Sequence, residues 1–181
     1  MIPPILVLDI DGVLNSHDWT ARRGHPATSS LDCLDPVACR RVQDVCDRTG
    51  AVLLVSSTWR KDHRIAEIGD LLSTCGLIAP VIGMTPSLAN DGSVSWREVG
   101  RGLEIQHWIE AFVPAEVTTL SVAVVDDGSD VGPDFRPVLV LTDMDHGFID
   151  DHVDPTTPRP KVFTIDASRF EAYRDGVVRW S

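Results

Sequence analysis

No apolar run in this chain approaches the length needed to cross a bilayer, so no membrane span is expected. There is no CxxC pair either. Cys33, Cys39, Cys46 and Cys75 are scattered through helix-like segments, away from metal-ligand spacing, and read as reduced, mostly buried thiols. The opening residues, Met1-Ile2-Pro3-Pro4, lack a basic stretch, which speaks against a secretory signal and makes a cytoplasmic location the expectation. Positive charge is in short supply. A formal net charge of −11 argues against broad nucleic-acid binding driven by phosphate neutralisation, but leaves room for a local basic patch. Repeats and low-complexity tracts are missing, and 181 residues are too few for two comfortable domains. One soluble domain over residues 1–181 is expected, with a core over about 4–147 and a surface-wrapping extension over about 148–181. The sequence specifies no oligomeric state, and a monomer satisfies it.

What is present is organised around Ile5-Leu6-Val7-Leu8-Asp9-Ile10-Asp11-Gly12. Four bulky apolar residues before a turn former predict a strand buried on both faces. Asp9 and Asp11 then lie at its carboxyl end, where open α/β sheets bind ligands. Two carboxylates so close repel, and a hard divalent cation is the natural counterweight.

Residues 15–30 are polar and read as a loop or short hairpin over the site. Asp35-Pro36 starts a helix that Gly50 stops. Residues 51–55 form a second strand ending in Ser56-Ser57-Thr58, and residues 62–75 form an amphipathic helix. Residues 77–82 supply a third strand, 97–112 a helix stopped by Pro114, 121–125 a fourth strand ending in Asp126-Asp127, and 138–141 a fifth. A short helix is expected near residues 167–174. Strands alternating with helices predict a doubly wound, mostly parallel five-stranded α/β sheet.

Three strands therefore deliver polar groups to one edge: Asp9 with Asp11, Ser56, and Asp126 with Asp127. Arg101, near a helix start, can join them. Metal-assisted phosphoryl transfer needs this set of groups: a carboxylate nucleophile, a second carboxyl as proton donor, a hydroxyl and a cation for phosphate oxygens, and acidic metal ligands.

In strand context and order, Leu6-Val7-Leu8-Asp9-Ile10-Asp11-Gly12-Val13, Leu54-Val55-Ser56-Ser57, Arg101 and Val124-Val125-Asp126-Asp127 resemble the four motifs of the haloacid dehalogenase-like (HAD) superfamily. The resemblance implies a Rossmann-like core and an aspartyl-phosphate on Asp9. Asp11 is implied as the acid that protonates the leaving oxygen and then as the base that activates water. Ser56 and Arg101 are implied as partners of the phosphoryl group. Arginine at this position departs from the usual lysine and suits bidentate contact. Mg2+ is implied on Asp9, the backbone carbonyl of Asp11, and Asp127 or Asp126. Members acting on carbon–halogen bonds or phosphonates lack an acid at the position of Asp11, and the P-type ATPase branch has lysine where Ile10 stands. The implied substrate is thus a phosphate monoester.

A narrower resemblance, on Ser56-Ser57-Thr58-Trp59-Arg60, Arg101-Gly102-Leu103-Glu104-Ile105 and Gly147-Phe148, is to the small HAD-like domains of RNA repair proteins. The 44 residues on either side of Ser56, up to Asp11 and Arg101, leave no room for a large cap domain. An open site suits a small-molecule phosphate or a nucleic-acid end. Ser57, Trp59 and Arg60 are candidate substrate contacts, Trp59 by base stacking. Arg22, Arg23, His25, Lys61, His63 and Arg64 could add contacts of their own.

Blander readings stand beside these. Arg97 competes with Arg101, Asp130 can be a turn residue, and Asp143, Asp145 and His146 read as loop chemistry rather than a second metal site. A non-catalytic phosphate- or nucleotide-binding domain with a regulatory or assembly role is the alternative function. It gains nothing from two repelling carboxylates.

Overall fold

Ile5, Leu6, Val7 and Leu8 are all buried, and they form β1 (Ile5–Leu8) at the middle of the sheet. The computed structural model describes residues 2–24, 27, 29–88, 100–117, 119–153 and 163–166. On one side β1 pairs in parallel with β2 (Val52–Val55), and on the other with β4 (Thr119–Asp126). Leu8 lies opposite both Val55 and Val125. That shared register brings Asp9, Ser56 and Asp126 to one edge.

β3 (Val81–Met84) and β5 (Leu139–Leu141) complete the parallel order β3-β2-β1-β4-β5. Connections run outward in opposite directions from β1, so the crevice beside its carboxyl end is the expected ligand position of a doubly wound sheet.

The sheet's two faces carry separate apolar clusters, because alternate residues of β1 point to opposite sides. Leu6 and Leu8 pack with α3 (Pro36–Thr49) and α4 (Ile65–Thr74) through Cys39, Val42, Ile68 and Leu72. Ile5 and Val7 pack with α5 (Arg101–Phe112) through Ile105, Trp108 and Ile109. Each fully buried aliphatic side chain stabilises the fold by about 1.5–3 kcal/mol. α3 has the predicted ends: Asp35 accepts from the Val37 N–H at 2.8 Å and Gly50 closes it at φ 70°. Cys39, Cys46 and Cys75 are buried and free, and burial pushes their thiols up.

Four elements differ from the sequence expectation. Residues 15–30 are not a hairpin. They hold α1 (His17–Arg23), capped by Ser16 on the Trp19 N–H and ended by Gly24, and the start of α2 (Ser30–Cys33). α4 begins at Ile65 because Thr58–Lys61 forms a 3-10 turn after Ser57. β3 lies beyond Pro80, whose carbonyl accepts from the Leu53 N–H at 2.8 Å. Inside the expected extension, β6 (Phe163–Asp166) pairs antiparallel with residues 119–122 of β4. β4 is long enough to take β6 along its first half and β5 along its second. α6 (Gly132–Phe135) follows the acidic end of β4. No cap domain is present among the described residues. Arg97 and the helix expected near 167–174 lie outside them.

Candidate active site

Asp9 continues the ladder one residue past β1: its N–H donates to the Val125 carbonyl at 3.0 Å, while the Ser56 N–H donates to Leu8 at 2.8 Å. The carboxylate is held from three directions. Oδ1 accepts from the Ile10 N–H at 2.7 Å, Oδ2 accepts from Arg101 Nη2 at 2.7 Å, and the Ser57 hydroxyl adds a further hydrogen bond. The group is only 2% exposed. Burial pushes its pKa up to about 6, although Arg101 pulls the other way.

Arg101 bridges two acids. Its Nη2 meets Asp9, its Nε lies 3.3 Å from Asp126 Oδ2, and its Nη1 donates to the Ser56 carbonyl. The helix start that carries it sits hard against the loop after β4. A side chain at Gly102 would run into the Val131 carbonyl, so glycine is what lets Arg101 come this close. Gly12 serves Asp127 in the same way: it has φ 70°, and a Cβ there would sit 2.6 Å from the Asp127 side chain.

Asp126 is buried, and its Oδ1 accepts from the Gly128 N–H at 2.8 Å. Its Oδ2 has no hydrogen-bond donor. Burial raises its pKa to about 7, and Asp127 is raised for the same reason. Asp9, Asp126 and Asp127 each offer one oxygen, all within 4.8 Å of one another. Three carboxylates whose pKa values are raised, one with a buried oxygen that faces Arg101 but receives no hydrogen bond among the described residues, form an all-oxygen donor set that suits a hard divalent cation.

A model of the HAD domain in Swiss Army Knife RNA repair proteins matches residues 5–153. The chain belongs to this family. Curated proteins and solved structures yielded no match. The matched span of the HAD domain runs from β1 through every residue of the acidic cluster and ends before β6. Among the described residues, no helix is long and apolar enough to cross a membrane.

Within this HAD domain the two serines after β2 face different partners. Ser57 faces Asp9. The Ser56 hydroxyl is turned to Thr85 Oγ1 at 3.2 Å, and only its carbonyl meets Arg101. Asp11 is half-buried outside the carboxylate cluster. Its Oδ1 accepts from Asn15 Nδ2 at 2.8 Å and Trp59 Nε1 at 3.0 Å, and its Oδ2 from Thr58 Oγ1 at 3.3 Å.

Two expected substrate contacts need correction. Arg60 is not free for phosphate, because its Nη2 is paired with Glu104 Oε2 at 2.6 Å and its Nη1 donates to Thr85 at 2.9 Å, inside the protein. Trp59 is no open stacking platform, since its N–H is committed to Asp11 and its ring packs against the apolar core. Arg22 pairs with Asp35 at 2.9 Å, Arg23 donates to the Asp32 carbonyl, and His25 lies outside the described residues. Asp130 receives the Arg101 N–H at 3.4 Å and so belongs to the helix start. His146 pairs with Asp143, and His17 with Asp145, on the exposed surface.

Sequence reasoning passed over Asn15 and Thr85, and met Glu104 only as part of the Arg101-Gly102-Leu103-Glu104-Ile105 motif. Thr85 had a readable signal, a hydroxyl directly after a strand. That motif marked Glu104, but nothing in it pointed to Arg60 as its partner.

The raised carboxyls carry a stability prediction. The folded chain holds protons on Asp9 and Asp126 above pH 3.8, where the unfolded chain releases them. Stability of the metal-free protein therefore falls as pH rises from about 4 to about 7. Asp126→Asn is expected to match the parent near pH 4 and to exceed it by about 4 kcal/mol at pH 8, for a rise from 3.8 to about 7 at ~1.4 kcal/mol per pKa unit. Urea denaturation of both proteins across this range, in chelator, measures the difference. A pH-independent difference would contradict the burial argument.

Proposed function

We propose that this HAD domain is a Mg2+-dependent phosphomonoesterase that works through an aspartyl-phosphate on Asp9. The observation that carries the reading is the convergence on Asp9 of a guanidinium and a hydroxyl, beside two further carboxylates. Asp9, Asp126 and Asp127 would hold the metal, which when bound offsets charge on the transferring phosphoryl group. Asp9 attacks phosphorus and the bond to the leaving oxygen breaks, with that oxygen taking a proton from Asp11. Water then gives its proton to Asp11 as its oxygen attacks phosphorus, which breaks the bond to Asp9 and releases phosphate. Arg101 and Ser57 supply N–H and O–H donors to the phosphoryl oxygens, and Ser56 holds Arg101 through its carbonyl.

The edge, which carries no cap domain among the described residues, supports a bulky phosphorylated substrate, and membership of the HAD domains of RNA repair proteins supports nucleotides or nucleic-acid ends. A panel of aryl phosphate, nucleotides and 3′- or 5′-phosphorylated oligonucleotides, assayed with Mg2+ and with excess chelator, tests both points. Chelation is expected to cost at least ~10²-fold, the several kcal/mol a metal supplies, and Mg2+ to restore activity. Undiminished turnover in chelator would overturn the metal dependence.

A further inference from the structure

Asp11 is held by donors from two loops, and the way those donors are divided between its oxygens suggests a division of labour. Oδ1 faces two N–H groups, Asn15 Nδ2 at 2.8 Å and the Trp59 indole at 3.0 Å. Neither group can accept a proton. The Asn15 amide is fixed the right way round, because its own oxygen accepts from the Gly12 N–H at 2.9 Å. Among the described residues, Oδ2 meets only the exposed Thr58 hydroxyl, at 3.3 Å. A hydroxyl can rotate, donating to a carboxylate and accepting from a carboxylic acid.

Trp59 is itself anchored. It follows β2 in the 3-10 turn, its backbone N–H reaches Ser57 Oγ at 3.4 Å, and its ring packs on the core beside His63, with centroids 5.6 Å apart.

We infer that Trp59 is a positioning residue: with Asn15 it clamps Oδ1 of Asp11 and leaves Oδ2 as the oxygen that exchanges the proton with substrate. This rests on the phosphatase reading. In the first step the Oδ2–H bond breaks and the leaving oxygen gains the proton; in the second, Oδ2 takes one from the attacking water. Here the loop after β2 orders it from within the core.

Trp59→Phe keeps most of the ring and removes the N–H. Its loss is expected to fall on esters with poor leaving groups, about 10-fold for a nucleoside or sugar phosphate, the scale of one hydrogen bond to a charged group. The phosphorylation burst with an aryl phosphate should change less than about 2-fold, since that leaving group needs little protonation. In an Asp11→Asn background the substitution should add almost nothing, as expected for two residues acting through one group. Equal losses on both ester types, or losses that add to those of Asp11→Asn, would make Trp59 a packing residue only.

A second measurement does not depend on turnover: the Trp59 indole 15N–H resonance is expected to shift in Asp11→Asn. An unmoved resonance would overturn the clamp. A shifted resonance in Asp11→Asn, together with a wild-type protein that hydrolyses no phosphate ester with Mg2+, would leave the contact standing and would remove both the phosphatase reading and the positioning role built on it.

Discussion

Asp9→Asn is expected to lose phosphatase turnover by about 10⁴-fold or more, the scale on which removal of a covalent nucleophile acts. The amide matches the carboxylate in shape but is a poor nucleophile. Its oxygen can still accept from the Ile10 N–H, and Arg101 keeps Asp126 at 3.3 Å. The fold should therefore survive. The variant also removes a buried charge from a group whose pKa burial lifts to about 6, so the metal-free protein should be no less stable than the parent at pH 8. Phosphate release and intact-mass detection of a phosphoenzyme, alongside circular dichroism, check both halves. Near-parental turnover in a folded variant would move the nucleophile elsewhere.

Asp11→Asn should separate the two chemical steps. With a nucleoside or sugar phosphate the expected loss is about 10²–10⁴-fold, the usual contribution of general acid catalysis. An aryl ester should still phosphorylate Asp9, because its leaving oxygen needs little help. Release of phosphate would remain slow, since the same side chain activates water. The aryl substrate should therefore give a burst followed by a slow steady state, with trapped aspartyl-phosphate. Asparagine can still accept from Asn15, Trp59 or Thr58, so the loop geometry around it should persist. Equal losses on both ester types without a burst would reduce Asp11 to a structural carboxylate.

Much of this could be read from the chain because local rules were strong where the site is built. An apolar run ending in Asp9, a second ending in hydroxyls and a third ending in Asp126 and Asp127 each mark a strand's carboxyl end, and parallel pairing must bring such ends together. Asp35-Pro36 and Gly50 marked a helix to the residue. Signals failed where two readings were locally equal. Residues 15–30 are polar enough for a loop, yet Ser16 and Gly24 cap a helix there. Nothing in the tail announced β6, because an edge strand is chosen by the free half of β4, which lies far away in sequence.

The sequence by itself determined the sheet's order of chemistry: which strands end in acid and which in hydroxyl. Tertiary structure alone decided how the side chains divide that work. Ser57 rather than Ser56 faces Asp9, Arg60 is spent on Glu104, and Trp59 holds Asp11. The reason is physical. Residue type and strand position follow from local pattern, but a hydrogen bond's partner depends on which donor burial leaves unsatisfied nearby. That is settled only when helix α5 and the loop after β2 meet over the same edge.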